Sequence, residues 1–91
     1  MIEKYILNSG FETIEAVQFN ISNVDEIKDW AKDNIKVLST VDEREITAIS
    51  IPHHIRGNNI ALKGDYILKL GGEFVVIPEN FFKYIDKKIL N

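Results

Sequence analysis

Hydrophobic and polar positions alternate along several short runs and switch to a helical rhythm in two places. Thr13 to Asn20 reads Thr-Ile-Glu-Ala-Val-Gln-Phe-Asn, a short run of β-branched and aromatic residues that predicts a strand. Ile21-Ser22-Asn23 interrupts it. Val24, Ile27, Trp30 and Ala31 then fall on one side of a helix over 24–33, with Asp25, Glu26, Lys28, Asp29 and Lys32 facing water. Asn23 with Glu26 three residues on has the form of a capping box, and the acids of the first turn suit the positive end of the helix dipole. Trp30 sits on the apolar stripe and is expected in the core.

Further along, Ile35 to Ser39 predicts a short strand and Asp42-Glu43-Arg44 a polar turn. Glu45 to Ile51 alternates imperfectly, with Thr47, Ile49 and Ile51 on one face and Ile46 and Ala48 on the other, as in a strand covered in part on both sides. Pro52 lacks the N–H a ladder needs and marks the strand end or an edge. Gly57-Asn58-Asn59 reads as a turn, and Ile60 to Lys63 as the returning arm of a hairpin. Gly64-Asp65 is a second turn, in which the Asp65 carboxylate can bond backbone N–H groups. Tyr66, Leu68 and Leu70 share a face of the next strand. Gly71-Gly72 then joins it to Phe74–Ile77 as a two-residue hairpin. Pro78 suits the first turn of a helix carrying Phe81, Phe82, Ile85 and Ile89 at helical spacing, while Tyr5 and Tyr84 are expected to be half exposed. The order is β-α-β-β-β-β-β-α: one α+β domain over 1–91, with a mostly antiparallel sheet of five to six short strands packed by two helices.

Composition narrows the function classes. The 91 residues are 45% hydrophobic and 27% charged, which excludes a disordered chain, and zero Cys excludes a disulfide scaffold or a Cys-ligated metal. No run approaches the ~18 apolar residues of a membrane helix, and Met1 to Asn8 lacks the basic and long apolar regions of a secretory signal. The net charge is −3, and residues 1–45 hold ten acidic against five basic side chains, which argues against generic nucleic-acid binding. The acidic helix face, Asp25, Glu26, Asp29 and Asp33, reads as a solvated surface, with phosphate mimicry towards a basic protein as the sharper alternative.

Chemistry-bearing motifs are sparse. His53 and His54 are adjacent, so on an extended chain they point to opposite sides and cannot readily share an ion; no metal and no cofactor is expected. A His–carboxylate pair with Asp42, Glu43 or Glu45 is conceivable, but no nucleophile elbow or phosphate loop is present, so no catalytic residue is assigned and an enzyme is not expected. The same segment is better read as a contact surface. His53, His54, Arg56, Asn58 and Asn59 would put hydrogen-bond donors and one permanent charge on a protruding hairpin, the candidate binding site.

Two separated motifs carry a resemblance. Ile14-Glu15-Ala16-Val17-Gln18-Phe19, then Gly64-Asp65-Tyr66-Ile67-Leu68-Lys69, Gly72-Glu73-Phe74, Pro78 and Phe82, resemble a family of small phage and prophage proteins over roughly residues 11–85. The chain departs from that pattern at Val75-Val76-Ile77 and in the longer segment from Ile51 to Asn59. The resemblance implies a non-enzymatic accessory protein in the cytoplasm of a bacterial host, acting by binding a host protein such as a component of an antiviral defence system. Self-association into a homodimer is expected because exposed sheet edges need covering. The alternatives are a protein that sequesters a small ligand such as a nucleotide signal, or a structural or assembly component of the virion.

Overall fold

A computed structural model describes residues 2–7, 13–39, 46–53, 57–85 and 87–89. The elements are β1 (Glu3–Leu7), β2 (Thr13–Gln18), α1 (Val24–Ala31) with a 3-10 turn over Lys32–Asn34, β3 (Lys36–Ser39), β4 (Ile46–His53), β5 (Gly57–Leu62), β6 (Tyr66–Leu70), β7 (Glu73–Ile77), α2 (Glu79–Phe82) and β8 (Lys87–Ile89). From β2 to α2 this is the order expected from the sequence, and the fold is α+β with antiparallel pairing throughout. Two features differ. The strands form two sheets rather than one, β7-β6-β2-β1-β8 and β3-β4-β5. Strands β1 and β8 also flank the expected order and pair with each other, Tyr5 opposite Ile89.

Alternation along β2 explains how the larger sheet is covered. Ile14 and Ala16 point to one face, Val17 and Phe19 to the other, and all four are buried. The Val17 face, with Ile67 and Phe74, packs against Val24, Ile27 and Ala31 of α1 and Ile49, Ile51 and Ala61 of the smaller sheet; this is the main core. The Ile14 face packs with Tyr5, Leu68 and Phe82 into a second, smaller core under α2. In the smaller sheet Ala48, Ile49, Ser50 and Ile51 are all buried, as expected of a strand covered on both sides.

The turns follow their residues. Gly71 and Gly72 take φ of +55° and +91°, and Leu70 pairs with Glu73 across them, a two-residue hairpin of the expected kind. The Asp65 carboxylate accepts the Leu62 N–H at 3.0 Å within the Gly64 turn. Other expectations are corrected. Gly57, Asn58 and Asn59 belong to β5, opposite His53, Pro52 and Ile51, so the hairpin is longer than its turn chemistry suggested. Pro52 keeps its expected place near the strand end: it lies beyond the last β3 pairing, Lys36 with Ser50, where a missing N–H is tolerated. Helix α1 stops at Ala31 because Lys32 turns to φ +54°. No side chain caps its start: the Asn23 amide instead donates to the Gln18 carbonyl at 2.7 Å and accepts the Asn20 N–H at 3.1 Å. Leu70 keeps the face of Tyr66 and Leu68 and is exposed at the strand's end. The last helix is one turn long, and the segment carrying Ile89 is a strand.

Trp30 is half-buried against the main core, edge-to-face with Phe74 at 5.2 Å, and its buried Nε1 has no hydrogen-bond partner among the described residues.

Candidate functional site

The hairpin that the sequence offered as a binding site is described in its backbone alone. His53 pairs with Gly57, and Asn58 and Asn59 pair with Pro52 and Ile51, which brings these three candidate positions to one end of the smaller sheet. His54 and Arg56 lie outside the described residues, as do the side chains of His53, Asn58 and Asn59. The alternative contact surface, Asp25, Glu26, Asp29 and Asp33, is exposed. Among the described residues no three His, Cys, Asp or Glu side chains group as metal ligands, and no helix is long and apolar enough to cross a membrane.

Two clefts open on opposite faces of the larger sheet. The larger, about 360 Å³, is lined by Lys4, Glu15, Lys69, Thr13 and the Gly71-Gly72 turn. Lys4 and Lys69 both stand directly opposite Glu15 in the ladder, so the charges offset one another along a cross-strand row.

The smaller cleft, about 200 Å³, is lined by Glu3, Tyr5, Ala16, Gln18, Asn20, Asn23 and Tyr66. Its origin is a methyl group among longer neighbours. Ala16 in the central strand stands between Glu3 and Leu68, with Gln18 opposite Tyr66 one step along the same face. The Tyr5 hydroxyl donates to Glu3 Oε2 at 2.7 Å, and the Gln18 amide donates to the Gly64 carbonyl at 3.0 Å. The wall beyond is Phe82, stacked on Tyr66 at 3.8 Å and edge-on to Tyr5 at 5.5 Å. Burial first, and then the Glu3 carboxylate bonded to it, push the Tyr5 phenol well above its ordinary value. Burial likewise raises Tyr66, reinforced by Glu79 and Glu3. Both rings therefore remain neutral phenols at physiological pH.

A third feature lies on the outer side of α2. The Tyr84 N–H bonds the Phe81 carbonyl at 3.1 Å, which sets the two rings one turn apart, and they are 64% and 77% exposed. Lys83 Nζ lies 5.6 Å from the centroid of Tyr84. Phe81 was expected in the core stripe and Tyr5 half exposed; the reverse holds, since Tyr5 is buried. Adjacent helical residues such as Phe81 and Phe82 cannot face the same way, and that signal was present in the sequence. The roles of Glu3 and Tyr5 were not, because they depend on β1 pairing with a strand ten residues away. Comparison with protein-family models, with curated proteins and with solved structures finds no match.

Proposed function

We propose that this chain is a non-enzymatic binding protein whose partner is another protein. The observation that carries the reading is the pair Phe81 and Tyr84, two exposed aromatic rings three residues apart on a turn that Phe82 anchors to the sheet. Exposed aromatics on a fixed turn supply large contact area at small entropic cost, and such residues dominate interface energetics. Leaving two of them in water is unfavourable unless something covers them. The resemblance to small phage and prophage proteins makes a protein of the bacterial host, in its cytoplasm, the partner to test first; a component of an antiviral defence system is the specific case. Self-association into a homodimer through the outer strands β3 and β8 belongs to the same reading.

The test is capture by the tagged chain from bacterial lysate, beside a Phe81→Ser/Tyr84→Ser variant, with sedimentation of each alone. A host protein held by the wild type and lost by the variant, at equal thermal stability, is the expected result. Identical capture by both chains would overturn the assignment to this surface.

A further inference from the structure

We propose that the cleft over Ala16 is a binding site for an alkylammonium group, whether a short free primary amine or the end of a lysine side chain. The inference stands apart from the aromatic surface of α2 and does not rest on it.

The chemistry of the walls is one-sided. Among the described lining residues Glu3 is the one charged side chain, and one of its oxygens accepts the Tyr5 hydroxyl, leaving acceptor capacity for an incoming donor. Glu79 is close by: its Oε2 lies 3.3 Å from where a Cβ on Gly64 would stand, and its charge is felt at Tyr66. Among the described residues no lysine or arginine lines the cleft. Lys87 Nζ lies 4.2 Å from the Phe82 centroid and 5.9 Å from that of Tyr5, and it is committed elsewhere, donating to the carbonyls of Phe82 at 2.8 Å and Ile85 at 3.2 Å. The larger cleft, by contrast, mixes both signs and selects neither.

Shape and aromaticity select among cations. Metal ions such as Ca²⁺ need six or more oxygen ligands, and the described residues hold no such group. An ammonium needs three acceptors and tolerates an aromatic flank. Tyr5 and Tyr66 supply phenol oxygens and ring surface, Glu3 supplies the counter-charge, and the Ala16 methyl gives an apolar floor for a short alkyl stem. Asn20 and Asn23 are bonded to each other, Asn20 Oδ1 accepting the Asn23 N–H at 3.1 Å, so they form a wall that is already set before a ligand arrives.

The probe is n-butylammonium chloride, titrated into the ¹⁵N-labelled full chain, with 1-butanol as its uncharged counterpart and Nα-acetyl-lysine amide as the peptide source. Saturable shifts at the backbone amides of Ala16, Gln18 and Tyr66 with n-butylammonium, and none with 1-butanol, are expected; a response to the lysine amide as well extends the site to protein side chains, and its absence restricts it to free amines. Glu3→Gln keeps an acceptor for Tyr5 and should weaken binding about tenfold or more, the effect of one charge-assisted hydrogen bond. Glu79→Gln, at an exposed position, should weaken it less and covers the case in which the first variant fails to fold. Absence of localised shifts with n-butylammonium, equal shifts with 1-butanol, or unchanged affinity in both variants overturns the proposal. Phe81→Ser/Tyr84→Ser should bind n-butylammonium as the wild type does, which separates this result from the fate of the protein-partner reading.

Discussion

Phe82→Ala tests the second core directly. Phe82 is the one buried residue of α2, and its ring makes every anchoring contact described for that helix: Tyr66 stacked at 3.8 Å and 11°, Tyr5 edge-on at 5.5 Å and 77°, and Lys87 Nζ 4.2 Å from its centroid. Truncating a buried Phe to Ala costs ~3–5 kcal/mol, part transfer and part cavity. Each aromatic pair contributes ~0.5–1.5 kcal/mol of that total. Two features pull the figure to the low end. The helix is a single turn that can settle, and Tyr66, Ile77 and Ile85 around the ring are half-buried, so water can enter the space. About 3 kcal/mol is therefore expected, a large part of the ~5–14 kcal/mol typical of a domain this size. Urea unfolding followed by Trp30 fluorescence measures it. Trp30 reports from the other face of the sheet, against Phe74, so its native-state emission should match the wild type while the midpoint falls. A loss below about 1 kcal/mol at unchanged slope would show that the Phe82 ring does not hold α2 to the sheet.

Three further outcomes follow from local geometry. Lys32→Gly should stabilise the chain by ~1 kcal/mol, because Lys32 holds φ +54° where a side chain is strained; a calorimetric melting temperature at or below wild type would contradict this. Gly64→Ala should destabilise by ~1–2 kcal/mol, chiefly through φ +98°, since the atom its Cβ would meet is the mobile end of Glu79; a neutral effect in denaturant would refute the strained turn. Raised phenol pKa values in Tyr5 and Tyr66 mean that the folded state holds protons the unfolded chain releases near pH 10, so their contribution is complete below pH 10 and is lost as pH rises above it. Ultraviolet titration of tyrosinate, comparing wild type with Tyr5→Phe and Tyr66→Phe, should show both missing signals at the alkaline end; their appearance at the ordinary midpoint would refute the buried placement.

The order of elements from Thr13 to Phe82 was legible because each carries a local signature: β-branched runs, a helical stripe, a Gly-Gly turn, a proline before the last helix. What escaped depends on distant partners. Lys87-Lys88-Ile89 has no strand signature of its own, and pairing with β1 overrides the helical spacing of Ile85 and Ile89. Gly57-Asn58-Asn59 has turn chemistry, yet β4 extends to His53 and draws all three into the ladder. The division into two sheets is equally non-local, since nothing in the Tyr66 strand announces that its neighbour will be β2 rather than β5. Of the hairpin candidates, the backbone placement of His53, Asn58 and Asn59 is described and the side-chain chemistry is not.

One hexapeptide does more of this than its length suggests. In Ile14-Glu15-Ala16-Val17-Gln18-Phe19 the apolar residues change parity midway, so Ile14 and Ala16 feed the small core while Val17 and Phe19 feed the main one. Each face then has a polar residue where the other face is greasy. Glu15, flanked in the ladder by Lys4 and Lys69, lies beside Val17 and opens the larger cleft; Gln18, opposite Tyr66, lies beside Ala16 and opens the smaller. A strand with unbroken alternation would bury one face and wet the other. This one staggers its two cores along the strand, and the clefts are the places where neither core reaches. The amine site thus has the same cause as the fold: exchanging Ala16 for a larger apolar residue would extend the small core over the cleft, and exchanging Gln18 for one would cover its mouth.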